Sequence, residues 1–276
     1  MLIREEKEFY DAYGWTLLPF LSFEQLLIKV EELSRQDPDG WPEWQKSEWM
    51  LNIYFLGCAA ADIADDYLTS GIKDLSKLTD YVPGVGSVVG SIRTSSELYC
   101  KSIKRFRDGR IRAWRTAWGR ILLELGEPLV KPEGDLNRYQ ETLKNLLPLL
   151  RRLRFPAALR AMRMRIPAAY RSQDLSHHDV VSLANKVLAA PAPDQPGYLV
   201  VGLRTAGSYI APLLCACLRA SGLAEVDYIT LRPKNAMNAW FEGRSIEGAR
   251  AHRRFILVDE PVNSGKTILK AIKVLK

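Results

Sequence analysis

Residues 255–272 read FILVDEPVNSGKTILKAI, an order that spells strand, polar turn, helix. The apolar run 255–258 delivers two adjacent carboxylates, Asp259 and Glu260, and the turn enters a helix at Ser264-Gly265-Lys266-Thr267. Amides at a helix start, two hydroxyls and Lys266 compose a nest for a phosphate group. Carboxylates on its rim suit hydrogen bonds from sugar hydroxyls, or a metal ion bridging those hydroxyls. Gly265-Lys266-Thr267 also invites a reading as a nucleotide-hydrolysing P-loop. That motif needs a glycine five positions before Gly265, where Glu260 stands and would repel a triphosphate. A plain strand–turn–helix connection capped by Ser264 is the bland alternative.

Working upstream, LVVGLRTAGSYIAPLL at 199–214 repeats the strand–turn–helix order. Gly202 and Gly207 allow close backbone approach, and Arg204 offers a fixed positive charge. A further apolar strand, VDYITLR, lies at 226–232. Strands at 198–203, 226–232 and 254–259, alternating with helices at about 208–220 and from about Ser264, predict an α/β fold with a parallel sheet. In such sheets ligands bind beyond the carboxyl ends of the strands, where both turns fall. A short helix from Ser176-His-His-Asp179 through Leu188 and a Pro-rich connector at 190–197 precede the first strand.

Everything before about residue 172 reads as helix. Ser22 with Gln25 forms a capping-box pattern ahead of Leu26, Leu27, Val30 and Leu33. Helices follow from about Pro42 to Leu68, around Glu97–Arg107, over a stripe of Ile111, Trp114, Trp118, Ile121, Leu122 and Leu125, and from Asp135 to Leu150. VPGVGSVVGS at 82–91 reads as a loop, since its glycines lack dinucleotide spacing and follow no strand. The expected organisation is an all-α helical domain over 1–171 and an α/β domain over 172–276.

The chain of 276 residues is 47% hydrophobic and 26% charged, the balance of a globular protein. No apolar run is long enough for a transmembrane helix, and the acidic, interrupted start does not read as a targeting segment. The expectation is a cytoplasmic protein with no membrane contact. Cys58, Cys100, Cys215 and Cys217 lack metal spacing and read as buried small residues.

The net charge of +7 is uneven. Residues 1–100 carry about 8 basic against 17 acidic groups, and residues 101–171 about 18 against 6. Arg-rich stretches at 105–120 and 151–165 are candidate surfaces for nucleic acid or a protein partner. Trp114 and Trp118 fall on the apolar stripe and read as core. The acidic N-terminal third is itself a candidate partner for the basic stretches. Asp62, Asp65 and Asp66 share one helix face at a spacing suited to magnesium, and the simpler reading is a solvated acidic face.

An apolar strand, two acids, two variable residues and a polar-Gly-x-Thr turn resemble the phosphoribosyl pyrophosphate (PRPP) loop of type I phosphoribosyltransferases. The Gly-Lys-Thr ending looks most like the purine-salvage members. The Gly-Leu-Arg-Thr-Ala-Gly turn resembles the pyrophosphate loop of bacterial pyrimidine-operon attenuators with uracil phosphoribosyltransferase activity. The resemblance covers residues 172–276 and implies a parallel-sheet phosphoribosyltransferase-like domain. By resemblance, Asp259 and Glu260 take the ribose hydroxyls and approach Mg2+. Asn263, Ser264, Gly265, Lys266 and Thr267 take the 5-phosphate. Arg204, Thr205, Ala206, Gly207, Arg232 and Lys234 take the pyrophosphate, with a non-proline cis peptide near 203–205.

Asp259, Glu260 and Arg204 would then carry the chemistry, displacement of pyrophosphate from C1 of PRPP by a nitrogen nucleophile. Trp240 and Phe241 fall in a hood loop over the site. The chain departs from the family pattern at Glu260, where Asp is usual, at Pro261, and at Asn263, where purine enzymes carry a carboxylate. The family's sheet normally continues for at least two more strands, so either the sequence is a fragment or another element, an oligomer or partner, completes the sheet. Two functions stay open: phosphoribosyl transfer to a nucleobase, and a non-catalytic module that senses PRPP or a nucleotide and signals through the helices.

Overall fold

The structure is a computed structural model that describes residues 21–70, 88–130, 135–151, 155–165, 176–190, 197–232, 254–260 and 265–275. It is mostly helical, with one small parallel sheet. In chain order the elements are α1 (Phe23–Ser34), α2 (Glu43–Ser70), α3 (Val88–Leu129), α4 (Leu136–Arg151), α5 (Ala157–Arg160), α6 (His177–Ala189), β1 (Tyr198–Leu203), α7 (Gly207–Ala220), β2 (Val226–Leu231), β3 (Arg254–Val258) and α8 (Lys266–Leu275).

Local chemistry sets several of these boundaries. Ser22 and Gln25 exchange reciprocal side-chain to backbone hydrogen bonds at the start of α1. Ser176 and Asp179 open α6, the Asp179 carboxylate accepting from the Ser176 amide at 2.8 Å and its hydroxyl at 2.9 Å. Asp135 accepts from the Arg138 amide ahead of α4 at 3.1 Å. One boundary differs from expectation. The stretch from Val88 runs without interruption to Leu129 as a single helix of 42 residues, taking in Gly90 and Gly109. Each glycine costs a helix only about 1 kcal/mol relative to alanine, too little to break it here.

The three strands are parallel in the order β2-β1-β3. Their side chains alternate between two apolar layers, as the period of a strand requires. Val200, Val226 and Val258 join the large helical core on one face. Leu199, Val201, Leu203 and Leu231 meet Ala271 and Ile268 of α8 on the other. The helix α7, buried from Gly207 to Leu218, lies between the sheet and the helices α2 and α3. Tyr54 of α2 donates to the Tyr209 carbonyl of α7 at 3.1 Å. One continuous core therefore crosses residue 171 and joins the N-terminal helices to the sheet.

Trp114 and Trp118 are core residues. Their rings stack at 4.8 Å, and the Trp118 indole donates to the Gly57 carbonyl at 2.8 Å. Cys58, Cys215 and Cys217 are buried free thiols, as their apolar neighbours suggest. Among the described residues no helix is long and apolar enough to cross a membrane.

Candidate functional site

The order β2-β1-β3 creates a topological switch point. The chain leaves β1 through α7 on one face of the sheet to reach β2. It later returns to pair β3 with the opposite side of β1, and α8 then lies on the other face. The crevice between the carboxyl ends of β1 and β3 is where ligands bind in open α/β sheets. Gly202 pairs with Val258, so the turns beginning at Arg204 and Asp259 leave the same edge of adjacent strands. Neighbouring strands lie about 4.8 Å apart. The starts of the two turns singled out in the sequence, at Arg204 and Asp259, therefore lie side by side at one end of the sheet.

The first turn is held by backbone contact. A Cβ placed on Gly202 would lie 2.2 Å from the Gly207 carbonyl oxygen, and one on Gly207 would lie 2.3 Å from the Gly202 carbonyl carbon. The glycines thus serve each other: their absent side chains let the end of β1 touch the start of α7. Between them the Arg204–Thr205 peptide bond is cis, inside the 203–205 stretch named above. Thr205 is half-buried, and Ala206, Gly207 and Ser208 are buried.

In the second turn Asp259 and Glu260 are half-buried, and an Asp259 carboxylate oxygen accepts from the Glu260 amide at 2.9 Å. Burial pushes the Asp259 carboxyl up from its ordinary value; the Glu260 amide opposes this and the Glu260 charge adds to it. Gly265 takes a left-handed conformation, φ 66°, and its carbonyl accepts the Leu269 amide at 3.0 Å. Lys266 and Thr267 are exposed at the first turn of α8, where helix amides lack intrahelical acceptors. Asn263, Ser264, Lys234, Trp240 and Phe241 lie outside the described residues.

The basic side chains sit differently from the backbone that carries them. Arg204 and Arg232 are buried and meet carboxylates from α2. The Arg232 Nη2 lies 3.0 Å and 3.2 Å from the two Asp62 oxygens and 3.4 Å from the Thr205 hydroxyl. Its Nε lies 3.1 Å from Asp66 Oδ1, and Arg204 Nη1 lies 3.6 Å from the same oxygen. The Ser208 hydroxyl donates to Asp62 Oδ1 at 2.7 Å. Burial pushes the Asp62 carboxyl up from its ordinary value, while Arg232 and then Arg204 pull it down.

Asp65 completes the row: it binds Arg115 in a fork at 2.9 Å and 3.0 Å and accepts from the Thr230 hydroxyl at 2.9 Å. Asp62, Asp65 and Asp66 are therefore an internal polar seam rather than a solvated face. The acidic N-terminal third does partner the basic stretches, through Asp65–Arg115 and through Glu24–Arg160 at 2.9 Å. No group of His, Cys, Asp or Glu suited to a metal ion occurs among the described residues. The sequence marked the three aspartates without identifying their partners; the excess of acid before residue 100 was the available signal.

No protein-family model, curated protein or solved structure matches this chain.

Proposed function

We propose that the chain is a phosphoribosyltransferase-type protein that binds PRPP with magnesium in the crevice between β1 and β3. The observation that carries this reading is the strand pairing. Turns with the chemistry for a sugar phosphate and for a diphosphate emerge side by side at a switch point. Asp259 and Glu260 take the ribose hydroxyls. The Gly265–Thr267 helix start, with Asn263 and Ser264 before it, takes the 5-phosphate. Backbone amides at Thr205–Gly207 take the diphosphate, with Arg204, Arg232 and Lys234 as its basic surroundings. Adjacent carboxylates supply hard oxygen donors, the kind Mg2+ prefers, and the ion when bound would offset charge on the pyrophosphate leaving group.

Transfer of the phosphoribosyl group to a nucleobase is the activity such a site serves. The chain's residues would act by position and electrostatics: hold the sugar, hold the departing diphosphate and leave C1 open to a nitrogen nucleophile. One observation favours the second reading, a sensor without turnover. Arg204, Thr205, Ser208 and Arg232 are tied through Asp62 and Asp66 to α2, so occupancy of the crevice has a direct path to the helical layer.

Calorimetric titration with PRPP and Mg2+ tests the binding claim. Asp259→Asn is expected to weaken binding at least tenfold, about 1.4 kcal/mol, and an unchanged dissociation constant would refute the ribose assignment. Pyrophosphate release with a panel of bases separates the two activities. Turnover with any base identifies the transferase, and saturable binding without release identifies the sensor.

A further inference from the structure

The carboxylates of α2 already occupy the arginines that the proposed site would turn toward a diphosphate. Arg232 is engaged by Asp62 and Asp66, and Arg204 by Asp66. The seam is balanced, three aspartates against Arg115, Arg204 and Arg232. Among the described residues the seam therefore presents no surplus positive charge to an incoming anion.

Burial grades the three carboxylates. The Asp62 side chain is 4% exposed and the Asp66 side chain 19%, while the Arg204 and Arg232 side chains are 2% and 8% exposed. Asp65, at 17%, is about as accessible as Asp66, but only Asp66 meets both Arg204 and Arg232, a single oxygen of it serving the two. Asp62 is sealed, with the Ser208 hydroxyl as a further partner. The helix that carries them is anchored in the core by Ile53, Tyr54, Leu56, Ala60 and Ile63. Withdrawing α2 from these arginines as a whole would expose that apolar surface. Exchange at the level of side chains would leave that packing in place, since Arg232 keeps its contacts with Asp62 when Asp66 moves away.

We propose that Asp66, supported by Asp62, is an intramolecular competitor for the diphosphate end of the ligand and sets the site's affinity from within the helical layer. This inference rests on the PRPP reading and adds its regulation: any event that draws Asp66 away from Arg204 and Arg232 would tighten binding. The sign is distinctive. A carboxylate with a merely structural role would weaken the site when removed, because its arginines would lose their placement. A competitor strengthens it.

The test is titration of the full chain with PRPP and Mg2+, comparing wild type with Asp66→Asn and Asp65→Asn. Asp65 holds a different arginine, Arg115, and controls for loss of a nearby negative charge. Asp66→Asn is expected to bind PRPP three- to tenfold more tightly, and Asp65→Asn to stay within twofold of wild type. Equal or weaker binding by a folded Asp66→Asn, with wild type still binding, overturns the competitor and leaves the PRPP site standing. Equal tightening in both variants assigns the effect to long-range charge and also overturns it. If no variant and no wild type binds, the PRPP reading and this inference fall together. Should Asp66→Asn not fold, Asp66→Ser carries the same expectation and the same refutation.

Discussion

Replacing Arg232 with methionine removes the guanidinium that ties the end of β2 to α2. The variant leaves Asp62, almost fully buried, with the Ser208 hydroxyl at 2.7 Å in place of a guanidinium at 3.0 Å. Breaking a buried pair from one side costs about 3–5 kcal/mol, because the remaining charge is neither solvated nor neutralised. A change of 1 kcal/mol moves the melting temperature of a domain this large by roughly 2–4 °C, so the midpoint should fall by about 6–20 °C. Changing both partners, Asp62→Leu with Arg232→Met, removes the stranded charge along with its partner. Apolar replacement of a whole buried pair is often neutral, so the double variant should regain about 2 kcal/mol or more of the single variant's loss. Urea denaturation followed by circular dichroism measures wild type, Arg232→Met, Asp62→Leu and the double variant. A loss below about 1 kcal/mol in Arg232→Met, or a double variant losing the sum of its two single changes, would refute a buried charged seam.

Further outcomes follow from the same geometry. Gly202→Ala forces a methyl against the Gly207 backbone and should cost about 3 kcal/mol or more, the upper end for overpacking. Gly109→Ala, with nothing within 4 Å of its added Cβ, should stabilise α3 by about 1 kcal/mol; equal effects in chemical denaturation would discredit the close approach. Asp259, raised by burial, favours the fold while protonated. Its contribution is present below its unfolded value and is lost as pH rises through the higher folded one. Asp259→Asn should therefore be at least as stable as wild type at pH 7 while binding PRPP more weakly; a destabilised variant would reverse that sign. Burial pushes the Cys58, Cys215 and Cys217 thiols up to about 12. Iodoacetamide at pH 8 should label them only after denaturation, as peptide mass analysis would show.

The strands and their turns were legible because their signals are local. Apolar runs of five or six residues, each followed by a glycine-bearing polar turn, fixed β1 and β3 and put Arg204 and Asp259 at strand ends. Ser22 and Ser176 announced their helices through partners three residues away. The seam was not legible, since Asp62 and Arg232 stand 170 residues apart and no local pattern links them. An i, i+3, i+4 row of aspartates is the same string whether it faces water or arginine, and only the fold decides. The length of α3 was hidden for a different reason: a Gly-rich stretch suggests a loop, yet the helix takes in Gly90 because one glycine costs it only about 1 kcal/mol.

Crystals of the protein grown with PRPP and Mg2+ would expose the crevice most directly. Electron density for the sugar should lie between the ends of β1 and β3, its ribose hydroxyls against Asp259 and its pyrophosphate over the Thr205–Gly207 amides. Density for the ligand at any other place, with that crevice filled only by water, would contradict the assignment.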